Sequence, residues 1–136
     1  MTSKVTYLGD LRTSSIHIQS GNEIISDAPV DNNGKGEAFS PTDTVASALA
    51  SCMLTIMGIK ARDMGVAIEG TTAEVTKLMQ AAPRKISGIK IIFNMQSDAD
   101  EKSRTILERA AVTCPVYLSL NTDIEKDIVF NWGDNI

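Results

Sequence analysis

The stretch that decides the fold is SPTDTVASALASCMLTIMGI, residues 40–59. It opens with a helix start signal, because Ser40 can cap free backbone amides and Pro41 suits the first helical position. Asp43, three residues after the cap, places a carboxylate in the first turn. The pattern predicts a long helix that begins at Pro41.

The predicted helix has no charged residue from Thr44 to Ile59. We expect it to end at about Met64, because Gly65 favours a C-terminal stop. A helix that is apolar on every face needs cover on every face, and one small sheet covers only one side. A second helix can cover part of the rest, and a symmetric partner is the commonest remedy for the apolar surface left over. The sequence therefore predicts a homodimer.

Length and composition indicate an ordinary soluble protein with a single domain spanning residues 1–136. Of the 136 residues, 43% are apolar and 22% are charged, which suits one packed core. The net charge of −4 and the scattered lysines and arginines argue against a nucleic-acid partner. The N-terminus has no apolar run of signal-peptide length, and the uncharged helix segment is shorter than the about 20 residues that a membrane span needs. We expect a cytoplasmic protein without a membrane partner.

The first 26 residues have the pattern of short strands joined by turns. Gly-Asp at 9–10 is predicted to close a hairpin that sets Tyr7 opposite Arg12. Alternation then places Arg12 on the same strand face as Ile16 and Ile18, the face expected to look toward the core. An arginine on that face needs a partner.

Residues 27–39 are predicted to form a turn-rich loop, and their acids and amides resemble a calcium loop at first sight. With Asp31 as the first ligand, Lys35 and Thr42 would occupy the fifth and twelfth positions, so the EF-hand template fails twice. One histidine and two cysteines are also too few for a convincing zinc site. We expect no metal and no bound cofactor.

The remainder of the chain alternates strands and helices. Residues 66–79, 85–96 and 127–132 have the period of half-buried strands. A second helix is predicted with Asp98 and Glu101 as its cap, and a short third one from Pro115. The element order βββ-α-ββ-α-α-β predicts an α+β fold in which an antiparallel sheet packs on the long buried helix.

Cys52 lies in the middle of the long helix, and its role can be interpreted in several ways. Free cysteine is among the most buried residue types and behaves as a small hydrophobe, so the residue is by default core filling. Two cysteines in one chain can also form a structural disulfide, stay buried and inert, or be redox-active. The count alone leaves these alternatives open.

Cys114 has a more informative context, because it directly precedes Pro115 and therefore fits the N-cap of a short helix. Exposed amides and the positive end of the helix dipole favour a thiolate there, which predicts an acidified thiol. Cys52, a dozen residues into its own helix, gains nothing from the dipole and needs a cation to be held as a thiolate. The inward-facing Arg12 is the candidate.

Taken together, these residues resemble the family of osmotically inducible and organic hydroperoxide resistance proteins (OsmC/Ohr). The similar stretches are YLGDLR at 7–12, SDAPVDNNGKGEAFSPTD at 26–43, ALASCM at 48–53 and CPV at 114–116, in the family's order and spacing. The resemblance covers nearly the whole chain. It implies an α+β fold in which two chains intertwine and bury both central helices, and it implies a thiol peroxidase.

By this resemblance Cys52 is the thiolate that attacks an organic hydroperoxide, and Cys114 is the resolving thiol. Arg12 is the cation that holds the thiolate and polarises the peroxide. The attack leaves a sulfenic acid, which condenses with the second thiol to a disulfide. An external dithiol, either a lipoyl-bearing protein or a small-molecule thiol, is then expected to reopen the bridge.

The sequence departs from the organic hydroperoxide branch at Thr42, where that branch has a glutamate that orients the arginine. Asp43 is adjacent, but nine residues at about 100° each place it on the opposite helix face from Cys52. Asp43 is therefore a capping residue first and only weakly a catalytic candidate. Two alternatives to a peroxidase remain: a non-enzymatic dimeric protein that senses oxidants or binds a small ligand, and a structural domain with unrelated core cysteines.

Overall fold

A computed structural model describes residues 1–133 of the chain. The element order βββ-α-ββ-α-α-β is the predicted one. The elements are β1 (Ser3–Gly9), β2 (Arg12–His17), β3 (Glu23–Asp27), α1 (Pro41–Met64), β4 (Thr72–Ala81), β5 (Arg84–Asn94), α2 (Glu101–Ala111), α3 (Pro115–Ser119) and β6 (Glu125–Asn131), with a 3-10 turn at Val30–Asn32. The chain divides into two compact units, Met1–Val45 and a second that begins at Ala46. That residues 1–136 form a single domain stays a prediction.

The N-terminal unit holds an antiparallel sheet of order β1-β2-β3. The predicted hairpin turn is wrong by one residue: Asp10 and Leu11 are the turn residues, with φ of 52° and 61°. Gly9 pairs with Arg12, and the register is irregular just before it. The prediction failed because Gly9 itself adopts a φ of 86° and ends the strand, so that the two-residue turn starts after it.

The alternation predicted along β2 holds for part of its length. Arg12 and Ile16 are half-buried on one face, with the buried Ser14 between them. The expectation for Ile18 is wrong, because this residue lies beyond the end of β2 and is 50% exposed. Once the chain leaves the strand, the two-residue period no longer determines which side a residue faces.

Helix α1 begins and ends where the sequence predicts. The amide of Asp43 donates to Ser40 Oγ at 3.0 Å, and the amide of Ser40 donates to Asp43 Oδ2 at 3.1 Å. This reciprocal capping box satisfies two backbone donors at the helix start. At the other end Gly65 adopts a left-handed φ of 70°, which suits a helix stop.

One face of α1 is buried within the chain, and apolar residues elsewhere on the helix are not. Val45 is 37% exposed and Ile59 is 45% exposed. By length and composition alone α1 is also apolar enough to cross a membrane, a property that it shares with core helices of soluble proteins. The buried residues are Ala46, Leu49, Ala50, Met53, Met57 and Ala61.

The second unit holds a sheet of order β4-β5-β6, and it corrects the expectation of an antiparallel sheet. Strand β4 runs antiparallel to β5, but β6 runs parallel to β5. The reason is the connection from β5 to β6, which contains α2 and α3. A helical crossover returns the chain in its original direction, whereas a tight turn reverses it.

The core of this unit follows the predicted alternation of β5. The residues Ile89, Ile91, Phe93 and Met95 are each at most 3% exposed. Phe93 stacks on Phe130 of β6, with ring centroids 5.3 Å apart. These side chains belong to one cluster with residues of α1, and the cluster also includes Cys114.

The start of α2 differs by two residues from the prediction. Asp100 is the N-cap and accepts a hydrogen bond from the amide of Ser103 at 2.8 Å. Asp98 was the predicted cap, but helix α2 begins at Glu101, and a cap must directly precede the first helical residue.

Candidate functional site

The two cysteines lie together in the second unit, and both are free thiols. Cys52 is half-buried on α1, and Cys114 is fully buried at the start of α3. The two thiols are close enough that Cys52 helps to raise the pKa of Cys114. The core cluster that contains Cys114 also packs against Cys52. The fold therefore brings two sulfur atoms into reach that are far apart in sequence.

Cys114 is held in place by its backbone as well as by its side chain. Its sulfur accepts a hydrogen bond from the amide of Tyr117 at 3.2 Å, so the residue is the N-cap of α3, as predicted. Its carbonyl accepts from the amide of Leu118 at 3.1 Å. Pro115 occupies the first position of the helix, which it suits because it has no amide to satisfy.

The prediction that Cys114 is acidified is wrong in its direction. Burial raises the pKa of the Cys114 thiol, and the hydrogen bond and charge of Cys52 raise it further. The backbone amides of Tyr117 and Val116 lower this pKa, but they do not outweigh the loss of water around the sulfur. The position of Cys114 at a helix N-cap is therefore not enough to hold its sulfur as a thiolate.

Arg12 has the partner that an inward-facing arginine needs, and the partner is Asp27. In the N-terminal unit Arg12 Nε donates to Asp27 Oδ1 at 2.7 Å and Nη2 donates to Oδ2 at 2.8 Å. The pair is bidentate, and the Asp27 side chain is fully buried. The hydrogen bonds and charge of Arg12 hold the pKa of Asp27 below its usual value, against the opposing effect of burial.

Glu37 is a second carboxylate on the same guanidinium. Its Oε2 lies 3.3 Å from Arg12 Nη2, and its side chain is 67% exposed. The amide of Glu37 also donates to Asp27 Oδ2 at 3.2 Å. Sequence reasoning missed both acids because it placed them in a loop. The available signal was the strand register, which sets Asp27 opposite Arg12.

The structure places Asp43 at the start of α1. Its carboxylate accepts the Ser40 amide in the capping box described above. Thr42 lies between these residues in sequence, and its Oγ1 is 3.2 Å from Ser40 Oγ. These contacts give Asp43 the structural role that the sequence favoured for it.

The fold is shared with solved structures. A protein of Psychrobacter arcticus, named provisionally for osmotic stress induction and a detoxification response, is 60% identical, with a TM-score of 0.93 over 96% of each chain. The organic hydroperoxide resistance protein OsmC of Legionella pneumophila is 14% identical, with a TM-score of 0.76 over 97% of this chain and 98% of that one. The organic hydroperoxide resistance protein OhrB of Bacillus subtilis is 17% identical, with a TM-score of 0.66 over 96% and 98%.

Sequence comparison assigns the family independently of the fold. No curated protein matches the sequence. The family profile described as OsmC-like protein matches residues 34–128, more than half of the chain. That range contains both cysteines, the capping box of α1 and Glu37. The chain therefore belongs to the OsmC-like family.

Proposed function

We propose that this protein is a thiol-dependent peroxidase that reduces organic hydroperoxides. The observation that supports the proposal most is the thiol pair: two free cysteines in one packed cluster, one half-buried and one fully buried. Family membership adds support, because two fold neighbours are named organic hydroperoxide resistance proteins.

In the proposed reaction the Cys52 thiolate attacks an oxygen of the hydroperoxide ROOH. The O–O bond breaks, an S–O bond forms, and the alkoxide leaves and takes a proton to become the alcohol. The sulfur of Cys114 then attacks the Cys52 sulfenic acid, which forms the disulfide and releases water. An external dithiol supplies two electrons and two protons to restore both thiols. For this reductant we propose a lipoyl protein or a small dithiol.

The surroundings of each sulfur support this division of roles. Cys52 is half-buried, so part of its side chain is within reach of a small peroxide. Cys114 has no exposed surface, so its natural partner is the neighbouring sulfur rather than a peroxide in solution. The raised pKa of Cys114 favours its thiol form, which is a poor nucleophile toward a peroxide in solution. The apolar cluster against Cys52 favours an alkyl chain on the peroxide over hydrogen peroxide.

Arg12 is proposed to stabilise the Cys52 thiolate and to polarise the peroxide. Its permanent charge and planar donors suit both tasks. Asp43 is proposed to act mainly through the capping box, with at most a minor part in the chemistry.

We also propose that the active form is an intertwined homodimer in the cytoplasm. The support is the apolar face of α1 that one chain leaves exposed at Val45 and Ile59. Exposed apolar surface of this kind is commonly covered by a second copy of the same chain.

The experiment is to follow the consumption of an organic hydroperoxide with reduced lipoamide as the electron donor. Wild type should turn over many equivalents, and Cys52→Ser should not. Ser51→Ala, which alters the exposed neighbour of Cys52, serves as the matched control and should retain turnover. If wild type consumed peroxide no faster than Cys52→Ser, the peroxidase proposal would be wrong.

A redox sensor is the second candidate, and the same thiol pair favours it. A sensor would form the disulfide stoichiometrically but would not cycle with a dithiol. A single equivalent of peroxide consumed per chain, followed by no further loss with reduced lipoamide present, would select this alternative.

A further inference from the structure

The bidentate contact of Asp27 sets the orientation of the Arg12 guanidinium. Two parallel N–H to oxygen bonds, at 2.7 and 2.8 Å, fix the plane of the group as well as its position. Asp27 is itself held by the Glu37 amide at 3.2 Å and is buried, so it has little freedom to move. A buried carboxylate with these bonds is a rigid support for the arginine.

Glu37 interacts with the same guanidinium in a different way. It makes one contact at 3.3 Å from an exposed side chain. Ion pairs between exposed groups contribute little and are screened by salt. The Glu37 carboxylate can therefore leave Arg12 at little cost, while its backbone amide stays bound to Asp27.

The loop between Asp27 and Glu37 is shaped so that it returns this amide to the buried carboxylate. The amide of Gly34 donates to Pro29 O at 2.9 Å, and the amide of Gly36 donates to Ala28 O at 3.2 Å. A Cβ added at Gly34 would overlap Ala28 O, so a side chain at this position is excluded. The loop conformation thus depends on glycine at a close backbone approach.

The charges of this trio have a chemical consequence. The second carboxylate offsets part of the field of the guanidinium, so Arg12 attracts a thiolate or a developing alkoxide less than it would with Asp27 alone. When the Glu37 carboxylate moves away, Arg12 and Asp27 form a neutral pair. Arg12 Nη2 then donates to Asp27 alone. Among residues 1–133, Nη1 of Arg12 donates no hydrogen bond, so that edge is open to a further acceptor.

We propose that Asp27 is the positioning residue for Arg12, and that Glu37 attenuates the arginine until a peroxide or thiolate displaces it. This inference rests on the proposed function, in which Arg12 acts on the peroxide at Cys52. It gives Asp27 and Glu37 a part in the reaction, although the sequence pattern placed both acids in a loop. The charged groups around the guanidinium are Asp27 from β3, with Glu37 and Lys35 from the loop.

The test measures the rate of sulfenic acid formation at Cys52 in a Cys114→Ser background. A dimedone-type probe reports the product after addition of cumene hydroperoxide across the neutral pH range. Asp27→Asn should slow the reaction about tenfold or more, because it removes a charge-assisted pair that orients the arginine. Glu37→Gln should speed it by about two- to fivefold, since it removes an exposed competing charge. Asp10→Asn, which removes another exposed carboxylate of this unit, should change nothing.

Arg12→Lys separates the effect of orientation from the effect of charge. It also tests the positioning role if Asp27→Asn fails to fold. A lysine keeps the charge but not the fixed two-point geometry. Its rate should fall at all pH values as far as that of Asp27→Asn. If Arg12→Lys matched wild type, orientation would be irrelevant and the positioning role would be overturned. A slower rate in Glu37→Gln would overturn the attenuating role.

A second readout is independent of any peroxide chemistry. In 15N NMR spectra the Arg12 Nε–H should exchange slowly with water in wild type and in Glu37→Gln, and quickly in Asp27→Asn. Fast exchange in wild type would overturn the inference while leaving the peroxidase proposal intact. Slow exchange with no sulfenic acid at Cys52 in any variant would overturn the proposed function, and with it the use of Arg12 in this reaction.

Discussion

Cys52, in the middle of α1, packs against the core cluster that includes Cys114, and Cys114 caps α3. The sulfur of Cys114 also accepts the Tyr117 amide, so one sulfur atom takes part both in a helix start and in the thiol pair. Cys114 is therefore fixed at a helix start within the same cluster that packs against Cys52.

The first prediction concerns the division of labour between the two cysteines. Each single Cys→Ser variant is treated with one equivalent of organic hydroperoxide, and sulfenic acid is trapped with a dimedone-type probe. Cys114→Ser should label rapidly at Cys52, whereas Cys52→Ser should stay largely unlabelled because Cys114 is buried and its pKa is raised. Fast labelling of Cys114 would reverse the assignment, and no labelling of either would make Cys52 a core residue.

The second prediction concerns the charge of Arg12. In the Cys114→Ser background, Arg12→Ala should slow alkylation of Cys52 by iodoacetamide at neutral pH, because the thiolate loses its stabilising cation. The rate should fall about tenfold, which corresponds to a loss of about 1.4 kcal/mol of favourable interaction with the thiolate. Lys4→Ala, which removes an exposed cation from β1, is the control. Equal rates for Arg12→Ala and wild type would remove Arg12 from the site.

The third prediction concerns association through α1. The protein should sediment as a dimer at micromolar concentration, because the apolar face of α1 needs more cover than one chain offers. Ile59→Glu places a charge on this face and should produce monomers or unfolded chains. Lys60→Glu, the exposed neighbour, should remain dimeric. A wild-type chain that sediments as a folded monomer would contradict the proposal.

The fourth prediction concerns acid stability. Because the pKa of Asp27 is lowered in the folded state, its pairing with Arg12 stabilises the protein fully above about pH 5 and is lost as the pH falls toward the lowered value. The free energy of urea unfolding should therefore fall less steeply on acidification in Asp27→Asn than in wild type. In Asp10→Asn, which breaks no ion pair among residues 1–133, the fall should be as steep as in wild type. A parallel fall in all three proteins would show that the pair contributes nothing to acid stability.

The fifth prediction concerns the start of α1. Ser40→Ala removes the hydroxyl that accepts the Asp43 amide and should lower the free energy of unfolding by about 1 to 2 kcal/mol. Ser51→Ala, at an exposed position of the same helix, should cost little or even stabilise, since alanine is the better helix former. Urea unfolding followed by circular dichroism measures both. A loss in Ser40→Ala no larger than that in Ser51→Ala would mean that the cap is not used.

Local pattern was sufficient for much of the fold and for part of the candidate site. The capping signal at Ser40 and Asp43 predicted the start of α1, because a cap is satisfied within one turn of backbone. The alternation of β5 predicted its buried face, because successive side chains of a strand point to opposite sides of the sheet. The Cys-Pro pair at 114–115 likewise predicted a helix N-cap.

By itself, then, the sequence determined the element order, the caps of α1 and α3, and the candidate thiols and cation. Only the tertiary structure decided the parallel direction of β6, the pairing of Arg12 with Asp27, and the raised pKa of Cys114. Each of these depends on groups distant in the chain: a helical crossover, an adjacent strand, or a core that removes water from a sulfur. Periodicity and capping patterns record only near neighbours, so they could locate Cys114 at a helix start but could not show that burial would outweigh the helix.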